Sequence, residues 1–176
     1  YHCVFFCFLL YKLCLSLGRE RFKCCSLSCL CMNVTGILDW LKANDLYEDS
    51  KKYVDLFKLV IERHLGVSNE KILIIGDTGF RNKRISPIIS AAYYFAAQEL
   101  SLDVDFVMEG VKFRGDSVDP DVDKKLFDLP EESVVVMNLS DKFGKSELVG
   151  KSIRKFCRSR GHRFVSTTSL GYLSTD

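Results

Sequence analysis

The sequence predicts an α/β domain, and two observations support this prediction. Short apolar runs rich in β-branched residues, such as residues 71–75 and 133–139, are typical of buried strands. Segments with apolar residues at helical spacing separate these runs, and this alternation implies parallel strands joined by right-handed crossovers. We therefore expect a Rossmann-like or flavodoxin-like, mostly parallel sheet of four or more strands, with helices on both faces and amphipathic helices ahead of it.

Two amphipathic helices are predicted before the sheet. In the first, apolar residues recur at helical spacing from Ile37 to Leu41. A second apolar pattern runs over residues 53–64, with Ser50 as a candidate N-cap and Gly66 as the expected C-terminal stop. We expect these helices to cover the sheet.

The first strand leads into a helix. Its apolar run stops at Gly76, and the following segment offers Ser86 as an N-cap and Pro87 at the first helical position. The apolar positions that recur on one face of this helix are Ile88, Ile89, Ala92, Phe95 and Ala96. That face is expected to pack on the sheet.

A second strand is predicted over residues 104–108, and an acidic segment follows it. Asp119 begins a series of alternating acids like those of a calcium-binding loop. However, Lys124 stands in place of the required glycine, and Pro130 stands in place of the bidentate glutamate. The better interpretation is structural, with Asp119 capping a helix and Pro120 at its first position.

The last part of the chain contains two more predicted strands with a helix between them. Residues 133–139 form the third strand, which is the most β-prone run in the chain, and residues 163–167 form the fourth. The intervening helix turns Phe156 and Cys157 inward and ends at Gly161. An inward-facing thiol is expected to be inert.

Composition divides the chain at Met32. Seven of the eight cysteines precede this residue, and only Cys157 follows it. The early cysteines lack the paired C-x-x-C spacing of zinc sites. The apolar run of residues 3–17 is interrupted by Lys12 and is shorter than the roughly 20 residues that a membrane-spanning helix needs.

We therefore interpret residues 1–31 as upstream translation outside the native protein, or as disordered, and residues 32–176 as the α/β domain. A metal or disulfide module and a membrane or export segment are the alternatives. Residues 1–31 hold four basic residues and one acidic residue, a charge of +3, so with +2 overall the remainder carries −1. That balance predicts no nucleic-acid partner and, with a single cysteine after Met32, favours a cytoplasmic protein without a membrane partner.

Candidate binding residues follow the first strand. In parallel sheets, ligands bind beyond the carboxyl ends of the strands, where the strand order reverses. The predicted substrate- or anion-binding residues are Gly76, Asp77, Thr78, Gly79 and Arg81. This loop is neither G-x-G-x-x-G nor a Walker A sequence, so a tight turn with a solvated basic rim is the alternative. Further candidates follow the third and fourth strands, at residues 140–142 and 167–169.

A row of basic residues accompanies the last predicted helix. Such a row could meet phosphates, but it is more often the solvated face of an amphipathic helix, and no aromatic residues are interleaved on this face to stack bases. The row consists of Lys151, Arg154, Lys155 and Arg158, followed by Arg160 and Arg163.

The order of these segments resembles a known family. The residues that carry the likeness are 71–77 (KILIIGD), 91–97 (AAYYFAA), 102–107 (LDVDFV), 150–165 (GKSIRKFCRSRGHRFV) and 169–173 (SLGYL). Together with the two preceding helices, they resemble the amino-terminal domain of metalloaminopeptidases of the aminopeptidase T type, which are leucyl aminopeptidase-like, and especially their archaeal relatives. The likeness extends from Met32 to the end.

The resemblance implies a peptidase that removes amino-terminal residues from peptides by means of water activated by two divalent metal ions, zinc, cobalt or similar. In that family the metal ligands come from the carboxyl-terminal domain, so none is assigned to a residue here. We expect this chain to be truncated before that domain, to be inactive alone, and to support a substrate cleft and a homodimer. The alternative is a stand-alone Rossmann-like module that binds an anion or a nucleotide.

Overall fold

The computed structural model describes residues 32–172. The predictions for residues 1–31 lie outside the described residues. Within residues 32–172, no helix has both the length and the apolar character needed to cross a lipid bilayer.

Four strands form one sheet in the order β2-β1-β3-β4, and all neighbouring strands are parallel. The strands are β1 (Ile72–Asp77), β2 (Val104–Glu109), β3 (Val134–Asn138) and β4 (Arg163–Thr167). In the register of the sheet, Ile72 lies between Val104 and Val134. The predicted α/β fold is confirmed, and this strand order is that of a flavodoxin-like sheet.

Helices cover both faces of the sheet, as predicted. The first face carries α1 (Val34–Ala43), α2 (Tyr47–Lys51), α3 (Val54–Leu59) and α4 (Ile85–Glu99), and the second carries α5 (Pro120–Phe127) and α6 (Ile153–Ser159). Each layer of helices encloses its own apolar core. The sheet is therefore the common wall of two cores.

The central strand β1 supplies both cores. Ile72 and Ile74 belong to the first core, whereas Leu73 and Ile75 belong to the second. All six residues of β1 are buried. Burial on both faces explains why the sequence of this strand is a continuous apolar run rather than an alternating pattern.

The capping role predicted for Ser50 is wrong. Ser50 lies within α2, where its hydroxyl donates to the carbonyl of Leu46 at 2.8 Å. The next helix begins at Val54 and continues into a π-helical turn, Val60–His64. Gly66 follows with φ +56°, a left-handed conformation that suits the predicted stop.

The capping role predicted for Ser86 is also wrong. Helix α4 begins at Ile85, and Arg84 occupies the cap position, although its side chain makes no capping hydrogen bond to the helix. The Ser86 hydroxyl instead donates to the carbonyl of Asn138 at 2.7 Å, across to β3. The Ser86 side chain therefore makes a hydrogen bond to a residue that is distant in sequence instead of capping the helix.

The predictions for the second half of the chain hold more closely. The Asp119 carboxylate accepts the amide N–H of Asp121 at 3.0 Å, and Pro120 is the first residue of α5, so the predicted cap is confirmed. Helix α6 is shorter than the apolar pattern suggested, because Ser152 caps it at the amide of Lys155. Strand β4 has the predicted bounds.

Candidate functional site

The strand order places the candidate site at the carboxyl ends of β1 and β3. The chain leaves β1 toward β2 on one side, and β3 lies on the other, so the order reverses between β1 and β3. Such a reversal opens the crevice in which α/β proteins hold ligands. The predicted residues Gly76, Asp77, Thr78 and Gly79 lie at this position, at the end of β1 and in the turn after it.

The carboxylate of Asp77 joins the two strand ends. One oxygen accepts the amide N–H of Ser140 at 2.6 Å, and the other accepts the Ser140 hydroxyl at 2.7 Å and the amide N–H of Gly79 at 3.0 Å. The side chain is 1% exposed. The Asp77 carboxylate thus accepts hydrogen bonds from groups of the protein itself, and this favours a structural role.

The backbone N–H groups of the same turn also have partners within the protein. Asp77 donates to the hydroxyl of Ser86 at 3.3 Å, and Thr78 donates to the carbonyl of Glu109 at 3.0 Å. Since Gly79 donates to Asp77, three successive amides of the predicted anion-binding loop are engaged. An anion would have to displace these bonds to be held by the loop.

The two glycines of the loop are required by its geometry. A Cβ at Gly76 would lie 2.5 Å from the Ser90 hydroxyl oxygen, so only glycine allows α4 to approach β1 this closely. Gly79 has φ +71°, which disfavours any residue with a side chain. Both glycines therefore have a packing or conformational reason that does not involve a ligand.

The basic residues after the turn divide into two kinds. Arg81 is exposed at the surface. Arg84 donates to the carbonyl of Thr78 at 2.9 Å, and its guanidinium lies 5.0 Å from the ring centre of Trp40 in α1. Arg81 is therefore separate from the other predicted binding residues, which are buried or half-buried. Arg84 connects the turn to α1.

A short 3-10 turn, Leu170–Tyr172, lies over the end of β3. Its amides at Leu170 and Gly171 donate to the carbonyls of Leu139 and Ser140 at 3.1 and 3.0 Å. A Cβ at Gly171 would lie 2.1 Å from the ring of Phe80, so that ring is packed directly against the turn.

Phe80 also links two exposed aromatic residues. Its ring centre is 6.1 Å from that of Phe113 and 6.0 Å from that of Tyr172. Phe113 is 52% exposed and Tyr172 is 65% exposed. We call these three residues the aromatic trio. These residues were not predicted to lie together, because they come from three separate segments with no shared sequence pattern.

A buried carboxyl group was also missed at the end of β2. Glu109 is 2% exposed, and burial raises its pKa to about 7. One oxygen accepts the amide N–H of Asp119 at 2.9 Å and lies 3.7 Å from the ammonium nitrogen of Lys112, whereas the other oxygen has no partner. The predicted strand stopped at Met108, one residue short of this acid.

A cavity of about 610 Å³ opens beside this carboxyl end, between the loops that follow β2 and β3. Lys112, Asp116 and Lys145 contribute charged groups to its lining. Asp123 of α5 fixes one wall, since its carboxylate accepts the Ser146 hydroxyl at 2.5 Å and the Glu147 amide at 2.9 Å. This cavity is large enough for a small organic ligand.

Two other candidate chemistries can be assessed from the side chains. In the stretch from Met32 to Tyr172, histidine, cysteine, aspartate and glutamate residues form no group of three that could hold a metal ion. Cys157 is buried, and burial raises the pKa of its thiol to about 11, so the group is a neutral thiol at pH 7. A neutral, enclosed thiol is a poor nucleophile.

No family model, no curated protein and no solved structure matches this chain.

Proposed function

We propose that this chain is the non-catalytic amino-terminal domain of a cytoplasmic, metal-dependent aminopeptidase, which releases amino-terminal residues from peptides. The proposal depends on one observation, which is that the polar groups lining the crevice between β1 and β3 are already hydrogen-bonded to other groups of the protein. There the Asp77 carboxylate and the amides of residues 77–79 already bind groups of the same chain. The sequence likeness to the aminopeptidase T type supplies the rest of the argument.

We assign the two divalent metal ions, zinc, cobalt or similar, to a separate catalytic domain. Residues 32–172 bring together no set of three ligating side chains, so these residues do not fit the metal pair. Asp77 is engaged with Ser140, and Glu109 has a pKa near neutrality and a lysine neighbour. Neither carboxyl group is given a ligand role.

The aromatic trio supports a role beside a second domain. Phe113 and Tyr172 each expose more than half of their surface and both lie beside Phe80, and clustered exposed aromatic rings are typical of an interaction surface. In the proposed protein this surface contacts the catalytic domain, and the assembled protein, as a homodimer, binds the peptide substrate.

A second candidate function is a stand-alone module that binds an anion or a nucleotide. The cavity of about 610 Å³ is the observation that bears on this alternative, because its volume suits a small ligand, although its lining holds two lysines and four acidic residues. A module of this kind would be stabilised by its ligand, so a rise in melting temperature with added nucleotide distinguishes it from the peptidase domain.

The proposal is tested by sequencing the source DNA beyond Asp176 and by assaying the product. We expect the reading frame to continue into a domain with separated glutamates, histidines, a tyrosine and an aspartate. The longer protein should hydrolyse leucyl p-nitroanilide when zinc or cobalt is added, and the 176-residue chain should not. A stop codon directly after Asp176, or metal-dependent turnover by the 176-residue chain, would contradict the proposal.

A further inference from the structure

A second pocket lies away from the crevice, between α6 and the strand β4. It has a volume of about 270 Å³. Two arginines of α6 line it together with side chains of β4 and the residue just before that strand: Arg154, Arg158, His162, Phe164 and Ser166. We call this the α6-β4 pocket.

Within residues 32–172, no carboxylate pairs with either arginine of the pocket. Arg154 and Arg158 are one helical turn apart, so their side chains lie on the same side of α6. Among the described residues, neither forms an ion pair or a side-chain hydrogen bond, although Arg163 pairs with Glu70 and Arg160 lies over the rings of Phe127 and Phe156. Two exposed guanidinium groups on one wall favour an anionic ligand.

His162 supplies a second, independent observation at the α6-β4 pocket, because it is a buried polar residue in the lining. The residue is 6% exposed, and neither of its ring nitrogens has a hydrogen-bond partner in the part of the chain that the structure describes. Burial, and then the charge of Arg160, lower the pKa of His162 against the opposing effect of Glu131, so the ring is neutral at pH 7. A buried imidazole without partners is unfavourable, and a rotation of the ring toward the pocket would let its N–H meet a ligand oxygen.

The shape and the remaining groups narrow the class of ligand. Ser166 adds a hydroxyl, and the ring of Phe164 adds an apolar surface beside the cationic wall. The volume suits a single phosphate group with a small substituent, and it is below the usual range for a drug-sized ligand. A single ring offers no platform for successive bases.

We propose that the α6-β4 pocket binds the phosphate group of a small phosphomonoester, with Arg154 and Arg158 holding its oxygens, Ser166 donating a hydrogen bond and Phe164 contacting the organic substituent. This site is independent of the aminopeptidase proposal, because it lies on a different edge of the sheet and requires no catalytic domain.

The experiment is a calorimetric titration of the full 176-residue chain, reduced and in a phosphate-free buffer at pH 7.5. The probes are phenyl phosphate and inorganic phosphate. The variants are Arg154→Gln, Arg158→Gln and the double variant, and Arg114→Gln is the matched control because it removes the same charge from an exposed loop position. All three substituted positions are exposed, so circular dichroism should show unchanged folding in the four variants.

We expect saturable binding of phenyl phosphate by the wild type and by Arg114→Gln, and at least about tenfold weaker binding by the double variant, because each guanidinium contributes charge-assisted hydrogen bonds. Binding of inorganic phosphate with the same dependence on the arginines would show that the phosphate group alone suffices. Saturation should also shift the ring resonances of His162 in NMR spectra.

Absence of saturable binding by the wild type, or equal affinity in the wild type and the double variant, would overturn the proposal. Tighter binding of a single-stranded oligonucleotide through the same two arginines would also overturn it, in favour of a nucleic-acid surface. None of these outcomes depends on peptidase activity, so the two proposals fail separately.

Discussion

The carboxylate of Asp77, a residue predicted to bind a substrate or an anion, connects two strand ends in the structure. The sequence places an acid at the end of a strand, where ligands are often held, and the structure surrounds its carboxylate with three donors. Nothing local to residue 77 could have indicated this, because Ser140 is 63 positions away. The chemistry of a residue type is readable from sequence, but its partners are not.

We predict that Asp77→Asn lowers the free energy of unfolding by about 2 to 3 kcal/mol. The amide nitrogen of asparagine would face donors, leaving at least one buried N–H or O–H without an acceptor. Urea unfolding followed by circular dichroism measures the effect. Asp39→Asn is the matched control, since Asp39 is exposed on α1. Equal stability of the two variants would show that the bridge to Ser140 contributes little.

Glu109 should make stability depend on pH. Its pKa is about 7 in the folded protein and about 4.5 in the unfolded chain, so between these values the folded protein binds more protons. The free energy of unfolding should therefore fall by about 3 kcal/mol as pH rises from 4.5 to 7, and this contribution should level off above pH 7.

The Glu109→Gln variant isolates this effect. Glutamine can still accept the amide N–H of Asp119 but does not ionise, so its stability at pH 8 should exceed that of the wild type, whereas the two should be similar near pH 4.5. Urea denaturation at a series of pH values provides the comparison. A constant difference between the proteins across this range would contradict the assignment.

At the scale of elements, the contact between β1 and α4 depends on a glycine and a serine. A Cβ at Gly76 would lie 2.5 Å from the hydroxyl oxygen and 2.9 Å from the Cβ of Ser90. The Ser90 hydroxyl is buried and has no hydrogen-bond partner. The helix and the strand are therefore in close contact here, and no hydrogen bond of Ser90 among the described residues offsets the cost of burying its hydroxyl.

We predict that Gly76→Ala destabilises the protein by about 2 kcal/mol or more, because α4 must move away from the sheet. Ser90→Ala should be neutral or slightly stabilising, since it removes an unpaired hydroxyl. The double variant should lose less stability than Gly76→Ala alone, because the closest atom is gone. Thermal unfolding of the four proteins measures the coupling, and strictly additive effects would argue against direct contact.

Local signals in the sequence predicted one helix cap correctly and two others wrongly. The cap at Asp119 with Pro120 needs only the following residues, and it was predicted correctly. Ser86 has the same capping chemistry, yet its hydroxyl bonds to Asn138, 52 positions away. Ser50 shows that a nearby partner can have the same effect, since its hydroxyl donates to the carbonyl of Leu46, four residues earlier, and does not cap a helix.

At the scale of the whole molecule, the alternation of strands and helices predicted the fold class, but it could not give the strand order. The position of β1 between β2 and β3 follows from which helix covers which face, and that depends on contacts between distant residues. The same limit applies to the site. The loop after β1 was located from sequence, whereas the cavity beside Glu109 and the α6-β4 pocket are assembled by tertiary structure.

The central position of the earliest strand affects how the chain must fold during synthesis. Strands β1 and β2 can pair as soon as the ribosome has released both, but the other edge of β1 waits for β3, about 60 residues later in the chain. Until then an apolar edge stays open to other nascent chains. The strand order that creates the crevice therefore also makes completion of the sheet depend on a non-local pairing, which is the slower kind of contact to form.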